Sequence, residues 1–131
     1  MTIKDIKLVK RSWRNLQGIN PMLLGDVFYS RLFLENPSLE KMFKTSKEVQ
    51  SKKLIDMLDL IVKRLDNLEP LTEEIRAMAS RHIDYGVKQK HYKQVGEALI
   101  WTLQSGLGKD WNAEVEKAWL TCYNELTNVM N

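Results

Sequence analysis

Residues 72–86, TEEIRAMASRHIDYG, decide the fold. Thr72 followed by Glu73 and Glu74 opens a helix, because acidic side chains in the first turn suit the positive end of the helix dipole. Ile75, Met78, Ala79 and His82 then recur in steps of three and four, the spacing of one helix face. Gly86 closes the helix or lies just beyond it. The stripe is apolar except at His82.

The same period runs outward in both directions. Upstream, Leu54, Leu58, Ile61, Val62 and Leu65 form a stripe that Ser46 can cap, with Pro70 marking the turn between the two helices. Before it, Asn20-Pro21 starts a helix that carries Leu24, Phe28, Leu32 and Phe33 and should end at Asn36-Pro37, since the residue before a proline avoids the α conformation. Leu39 and Met42-Phe43 follow in a short, tightly wound segment. The first helix carries Ile3, Ile6, Val9, Trp13 and Leu16, with Thr2 as its cap and Gly18 as its stop. Downstream, Tyr92, Val95, Leu99 and Thr102 form a face that ends at Gly106 and Gly108. Asn112 then caps a last helix with Val115, Ala118, Trp119, Cys122, Leu126 and Val129 inward. No stretch of four to eight residues alternates as a strand does. The pattern predicts an all-α fold of six substantial helices.

A chain of 131 residues is expected to make one domain, residues 1–131, exposing about 7,000 Å² when folded. The longest uncharged runs, residues 15–25 and 98–108, have eleven residues each, short of the roughly 20 that span a bilayer. Cys122 is alone, so neither a disulfide framework nor a cysteine zinc site is expected. Without a signal-peptide pattern, a cytoplasmic protein is the reading. Twenty Lys and Arg against seventeen Asp and Glu leave a charge of +3, too small to argue for nucleic acid, although the isoelectric point of 9.0 sits at the threshold for it. Lys4, Lys7, Arg11 and Arg14 make a basic stripe opposite the first apolar face, read as a solvated surface rather than a membrane or nucleic-acid contact. Trp101, Trp111 and Trp119 read as packing groups.

Most catalytic patterns fail. Gly106-x-Gly108 is followed by Trp111 where a dinucleotide fingerprint needs glycine. Ser80, His82 and Asp84 stand two apart on one helix and point in different directions. What remains is three polar residues on faces that should be apolar: His82, Gln50 four residues before Leu54, and Tyr29 beside Phe28. Any one alone reads as a hydrogen-bonded core group. All three on different helices of a small domain point further, and a neutral imidazole on an apolar face is also what an iron ligand needs.

Three blocks run in register from Trp13 to Met130. They are Leu32-Phe33-x-x-x-Pro37-x-Leu39-x-x-Met42-Phe43, Arg81-His82-x-x-Tyr85-Gly86-Val87-x-x-x-His91-Tyr92-x-x-Val95-Gly96-x-Ala98-Leu99, and Leu107-Gly108-x-x-Trp111-x-x-Glu114-x-x-x-Ala118-Trp119-x-x-x-Tyr123. Together they resemble the globins, in particular the single-domain bacterial haemoglobins related to flavohaemoglobin and neuroglobin. The resemblance implies three helices packed over three around haem b, with His82 as proximal iron ligand. It puts Gln50 and Tyr29 on the distal side over a bound ligand, Phe43 against the haem face and Leu54 in the distal wall. Lys53 would pair with a haem propionate or stay solvated. Val87, Tyr92 and Val95 would line the proximal side and haem edge, and Gly86 would release the helix that bears His82. His91, between helices, is expected at the surface.

The function implied is reversible binding of O2, and of CO and NO, by a monomer or weak dimer. Because an amide ligates iron poorly, Gln50 implies a five-coordinate ferrous state. The enzyme alternative is nitric oxide dioxygenation with an external reductase, since no reductase sequence follows Asn131 and the glutamate that supports the proximal histidine in flavohaemoglobins would fall beyond residue 131. A haem-free helical interaction module is the third class.

Overall fold

The computed structural model describes residues 1–43, 46–84 and 88–130. Six α-helices follow one another: α1 (Ile3–Leu16), α2 (Pro21–Glu35), α3 (Lys47–Lys63), α4 (Thr72–Asp84), α5 (Gln89–Leu107) and α6 (Ala113–Met130). Short 3₁₀ turns occupy Pro37–Met42, Glu69–Leu71 and Gly108–Asp110. There is no strand among the described residues, and no helix is long and apolar enough to cross a membrane. The all-α expectation holds.

The helix starts are local chemistry. Thr2 accepts from the Asp5 amide while the Asp5 carboxylate accepts from the Thr2 amide, a reciprocal capping box at 3.0 and 3.1 Å. Asn20, Ser46 and Asn112 cap α2, α3 and α6 through their side-chain oxygens. The expected break at Gly106 does not occur. α5 runs through it to Leu107 because Gly106 serves packing: a Cβ there would stand 2.6 Å from Leu16 Cδ2. The stop is Gly108 alone, whose φ of +55° lies in the left-handed region that glycine adopts without a side-chain clash.

The core joins α1, α2, α3, α5 and α6. Val9, Leu16, Leu32, Ile61, Leu103 and Ala118 are almost completely buried at its centre. Trp119 meets Trp13 at 6.1 Å between ring centroids and donates its Nε1–H to Ser12 Oγ at 2.8 Å, fixing α6 on α1. Trp13 donates in turn to Asp59, which also accepts from Gln17 and Lys63. Trp101 departs from the packing role expected of it. It lies on the outer side of α5, 37% exposed, beneath the Arg31 guanidinium at 4.5 Å, where the cation covers one ring face.

α4 is the exception to this mutual packing. Among the described residues it rests on α6 and on the 3₁₀ turn before it, with no extended contact to α3, its predecessor in the chain. The accessible surface is 8165 Å², against about 7,000 Å² for an average chain of this mass.

Candidate functional site

Two groups of residues face the question of function from different helices. The first forms where α2 crosses α3. Gly25 makes that crossing close, because a Cβ at 25 would lie 2.4 Å from Ser51 Cβ. Lys47, in the first turn of α3, reaches back to Ser30 Oγ at 3.0 Å and to Asp26 at 3.1 Å, holding the start of α3 on α2. The crossing brings Tyr29 of α2 to Gln50 of α3. The Tyr29 hydroxyl donates to the Gln50 backbone carbonyl at 3.4 Å.

Tyr29 is 6% exposed and enclosed by aromatic rings: Phe28 at 4.8 Å, Phe43 at 5.4 Å and Phe33 at 5.9 Å between centroids. Phe43 and Phe33 also meet each other edge to face at 5.2 Å. These offset and tilted arrangements are the ones ring quadrupoles favour. Burial pushes the Tyr29 phenol up to about 12, so it stays a neutral hydroxyl, a donor rather than an anion, throughout the physiological range. The structure thus brings together Tyr29, Gln50 and Phe43. Leu54 follows one turn after Gln50 and packs, partly buried, against the core, whereas Lys53 is exposed on α3.

The second group lies on α4 and α5. His82 continues the face of Ile75 and Ala79, which are buried. Its Nδ1 is buried and makes no hydrogen bond. Burial holds the imidazole below its ordinary pKa, and Arg81 adds to that; the Met78 carbonyl one turn back pulls the other way without reaching hydrogen-bond geometry. The ring is therefore neutral near pH 7. Its helix, α4, makes no extended contact among the described residues with α2 or α3, which carry Tyr29 and Gln50. Val95 packs partly buried against the core. Tyr92 is held at its backbone, whose carbonyl accepts from the Tyr123 hydroxyl at 2.6 Å. Tyr123 in turn lies on Gly96, where a Cβ would stand 2.8 Å from its ring. Val87 and Gly86 lie outside the described residues.

His91 lies within α5 and not between helices as expected. It is the third residue of α5, partly buried, and its Nδ1 accepts from the Lys88 backbone amide at 2.8 Å. The imidazole satisfies one of the amides that a helix start leaves without a partner. Sequence reading also missed Tyr123 as the brace for Tyr92, and the Gly25–Ser51 approach. For the last there was a signal: a lone glycine inside an otherwise continuous helix.

The residues present suit a planar iron cofactor. No group of three or more His, Cys, Asp or Glu among the described residues could hold a bare metal ion; a haem would be held through His82, whose ring nitrogen Nδ1 is buried without a partner. If His82 held the iron through one ring nitrogen, the other would carry a proton, and the Met78 carbonyl one turn back would be the acceptor within nearest reach.

Residues 26–130 match the Globin family. The chain is 30% identical to a neuroglobin of Chaenocephalus aceratus, over 98% of this chain and 89% of that one. It is 30% identical to a flavohemoprotein of Vibrio cholerae over 98% of its own length, which is 33% of that longer protein. An engineered carbene transferase from Rhodothermus marinus, described as a candidate nitric oxide dioxygenase, superposes with a TM-score of 0.89 at 27% identity, covering 99% of this chain and 90% of that one.

Proposed function

Because this chain belongs to the globin family, we propose that it binds haem b through His82 and takes up O2, and also CO and NO, reversibly. The observation that carries the reading is the state of His82: a neutral imidazole whose buried Nδ1 has no partner, on a helix that does not close on α3. Neutral imidazole is the form in which histidine ligates a metal. When bound, the haem supplies a ferrous iron able to take a diatomic gas.

The chain's own residues then set the terms. Phe43, Leu54 and Val95 keep water from the site and lower its effective dielectric, which strengthens any hydrogen bond made there. Tyr29 supplies a hydroxyl that burial keeps protonated, whose one proton would turn from the Gln50 backbone carbonyl at 3.4 Å to the bound gas, and the Gln50 amide supplies a second donor. A gas that accumulates negative charge on binding is retained by such donors. Tyr92 would line the His82 side, and Lys53, exposed on α3, would pair with a haem carboxylate.

Absorption spectra of the haem-supplemented protein in ferric, ferrous and CO-bound forms test the proposal. A Soret band that His82→Ala abolishes is expected, with a five-coordinate ferrous form; haem content unchanged by His82→Ala refutes it. Tyr29→Phe should speed O2 release about tenfold, the equivalent of about 1.4 kcal/mol of lost hydrogen bond. A second reading, nitric oxide dioxygenation with a separate reductase, draws on the similarity to the Rhodothermus marinus protein. Nitrate formed over many turnovers with a supplied reductase favours it; formation limited to one equivalent favours ligand binding alone.

A further inference from the structure

A groove of about 470 Å³ lies along α1, between it and the start of α6. Ile3, Lys4, Lys7, Leu8, Arg11 and Glu114 line it. A second hollow of about 230 Å³ adjoins it, sharing Leu8 and Arg11 and reaching Lys109 and Asp110 in the 3₁₀ turn before α6. Ile3 is 75% exposed, an apolar side chain at the mouth of the groove that no packing accounts for.

Two of the four charged residues along the groove pair with each other and two do not. Lys4 bridges to Glu114 across it at 2.7 Å. Among the described residues Lys7 and Arg11 make no ion pair. They stand four apart on one helix, where like charges repel. The helices that carry the walls are joined without a ligand: the Thr2–Asp5 capping box closes the start of α1 and the Trp119–Ser12 hydrogen bond ties α1 to α6. A preformed groove loses little freedom when it is filled.

We propose that this groove docks an acidic, amphipathic segment of a partner protein. One apolar side chain of the segment would cover Ile3 and Leu8, with carboxylates on either side paired to Lys7 and Arg11. Its concave shape suits a chain segment better than the plane of a bilayer, and its uncompensated cations select for acidic sequence. The proposal is independent of the haem reading.

The test uses the full-length, haem-supplemented protein and a fluorescent peptide of glutamates with leucine at every third and fourth position. Saturable binding at low salt is expected, weakened about tenfold by the double reversal Lys7→Glu and Arg11→Glu and several-fold by Ile3→Ser, and reduced steeply as ionic strength rises and the Debye length shortens. Circular dichroism identical to the parent establishes that the variants fold. The proposal is overturned if the peptide does not bind, or if reversing Lys52 and Arg76 on α3 and α4 weakens binding as much. It is overturned equally if phosphatidylglycerol vesicles, and not the peptide, depend on Lys7 and Arg11. A change in the sedimenting mass with the same variants would assign the groove to a second copy of the chain, and that too overturns it.

Discussion

Adding one methyl group where α2 crosses α3 should disturb both stability and ligand retention, and the structure says by how much. In Gly25→Ala the new Cβ would sit 2.4 Å from Ser51 Cβ, 2.6 Å from its Oγ and 2.8 Å from its Cα. The last of these is backbone, so rotating the serine does not relieve the contact. Restoring ordinary van der Waals distance requires the helices to part by about 1 Å, and overpacking of this kind costs about 1–3 kcal/mol. Alanine returns about 1 kcal/mol through its better helix propensity, leaving a net loss of up to about 2 kcal/mol. The same parting carries the Tyr29 hydroxyl, already 3.4 Å from the Gln50 carbonyl, beyond hydrogen-bonding range. The assay is a double-mutant cycle in denaturant with Ser51→Gly as the second change, alongside O2 dissociation by stopped flow in the haem-loaded protein. Gly25→Ala combined with Ser51→Gly should recover most of the loss, a coupling of about 1 kcal/mol or more. Strictly additive effects of the two changes, or an alanine variant as stable as the parent with an unchanged dissociation rate, would refute the close crossing as the determinant.

Three further outcomes follow from single contacts. Tyr123→Phe keeps the ring on Gly96 but removes the hydroxyl that donates to the Tyr92 carbonyl, and should cost about 1 kcal/mol in denaturant unfolding. His91 must be neutral to accept from the Lys88 amide, and its pKa is lowered by burial first and then by Lys90 and Lys88. Its contribution is therefore present above the ordinary histidine pKa and lost as pH falls below it, so the parent should lose stability relative to His91→Leu between pH 7.5 and 5.5, by about 1 kcal/mol or less for so exposed a cap. Asp59 is held below the usual carboxylate range by Lys63 first and then by the Trp13 indole. Its stabilisation persists above that range and disappears on acidification through the lowered pKa, and Asp59→Asn should flatten the acid limb of the stability curve.

The parts of the fold legible in the sequence are those whose cause is local. The caps at Thr2, Asn20, Ser46 and Asn112 stand where residue types a few positions apart require them. His82 was visible because a polar residue interrupted an apolar stripe, and Tyr29 and Gln50 for the same reason. What was hidden has its cause elsewhere in the chain. Gly106 looks like a helix end until Leu16 comes to lie against it. Trp101 looks like core until the crossing of α2 and α5 leaves it outside, under Arg31. The partner of the Tyr29 hydroxyl is a backbone carbonyl, and every residue has one, so no sequence pattern marks it. His91 has the residue type of a ligand and the geometry of a cap, a distinction that rests on one hydrogen bond.

That α4, among the described residues, packs on α6 but not extensively on α2, α3 or α5 bears on the order in which the molecule is put together. α1, α2, α3, α5 and α6 hold one another, so they can collapse into a frame before the helix carrying His82 has settled. α4 would then be the last helix to gain protection from hydrogen exchange during refolding and the first to lose it when haem is withdrawn. The cofactor in such a scheme is a late structural component, and occupancy is read out as the rigidity of a single helix. Amide exchange across residues 73–84, followed with and without haem, measures this directly.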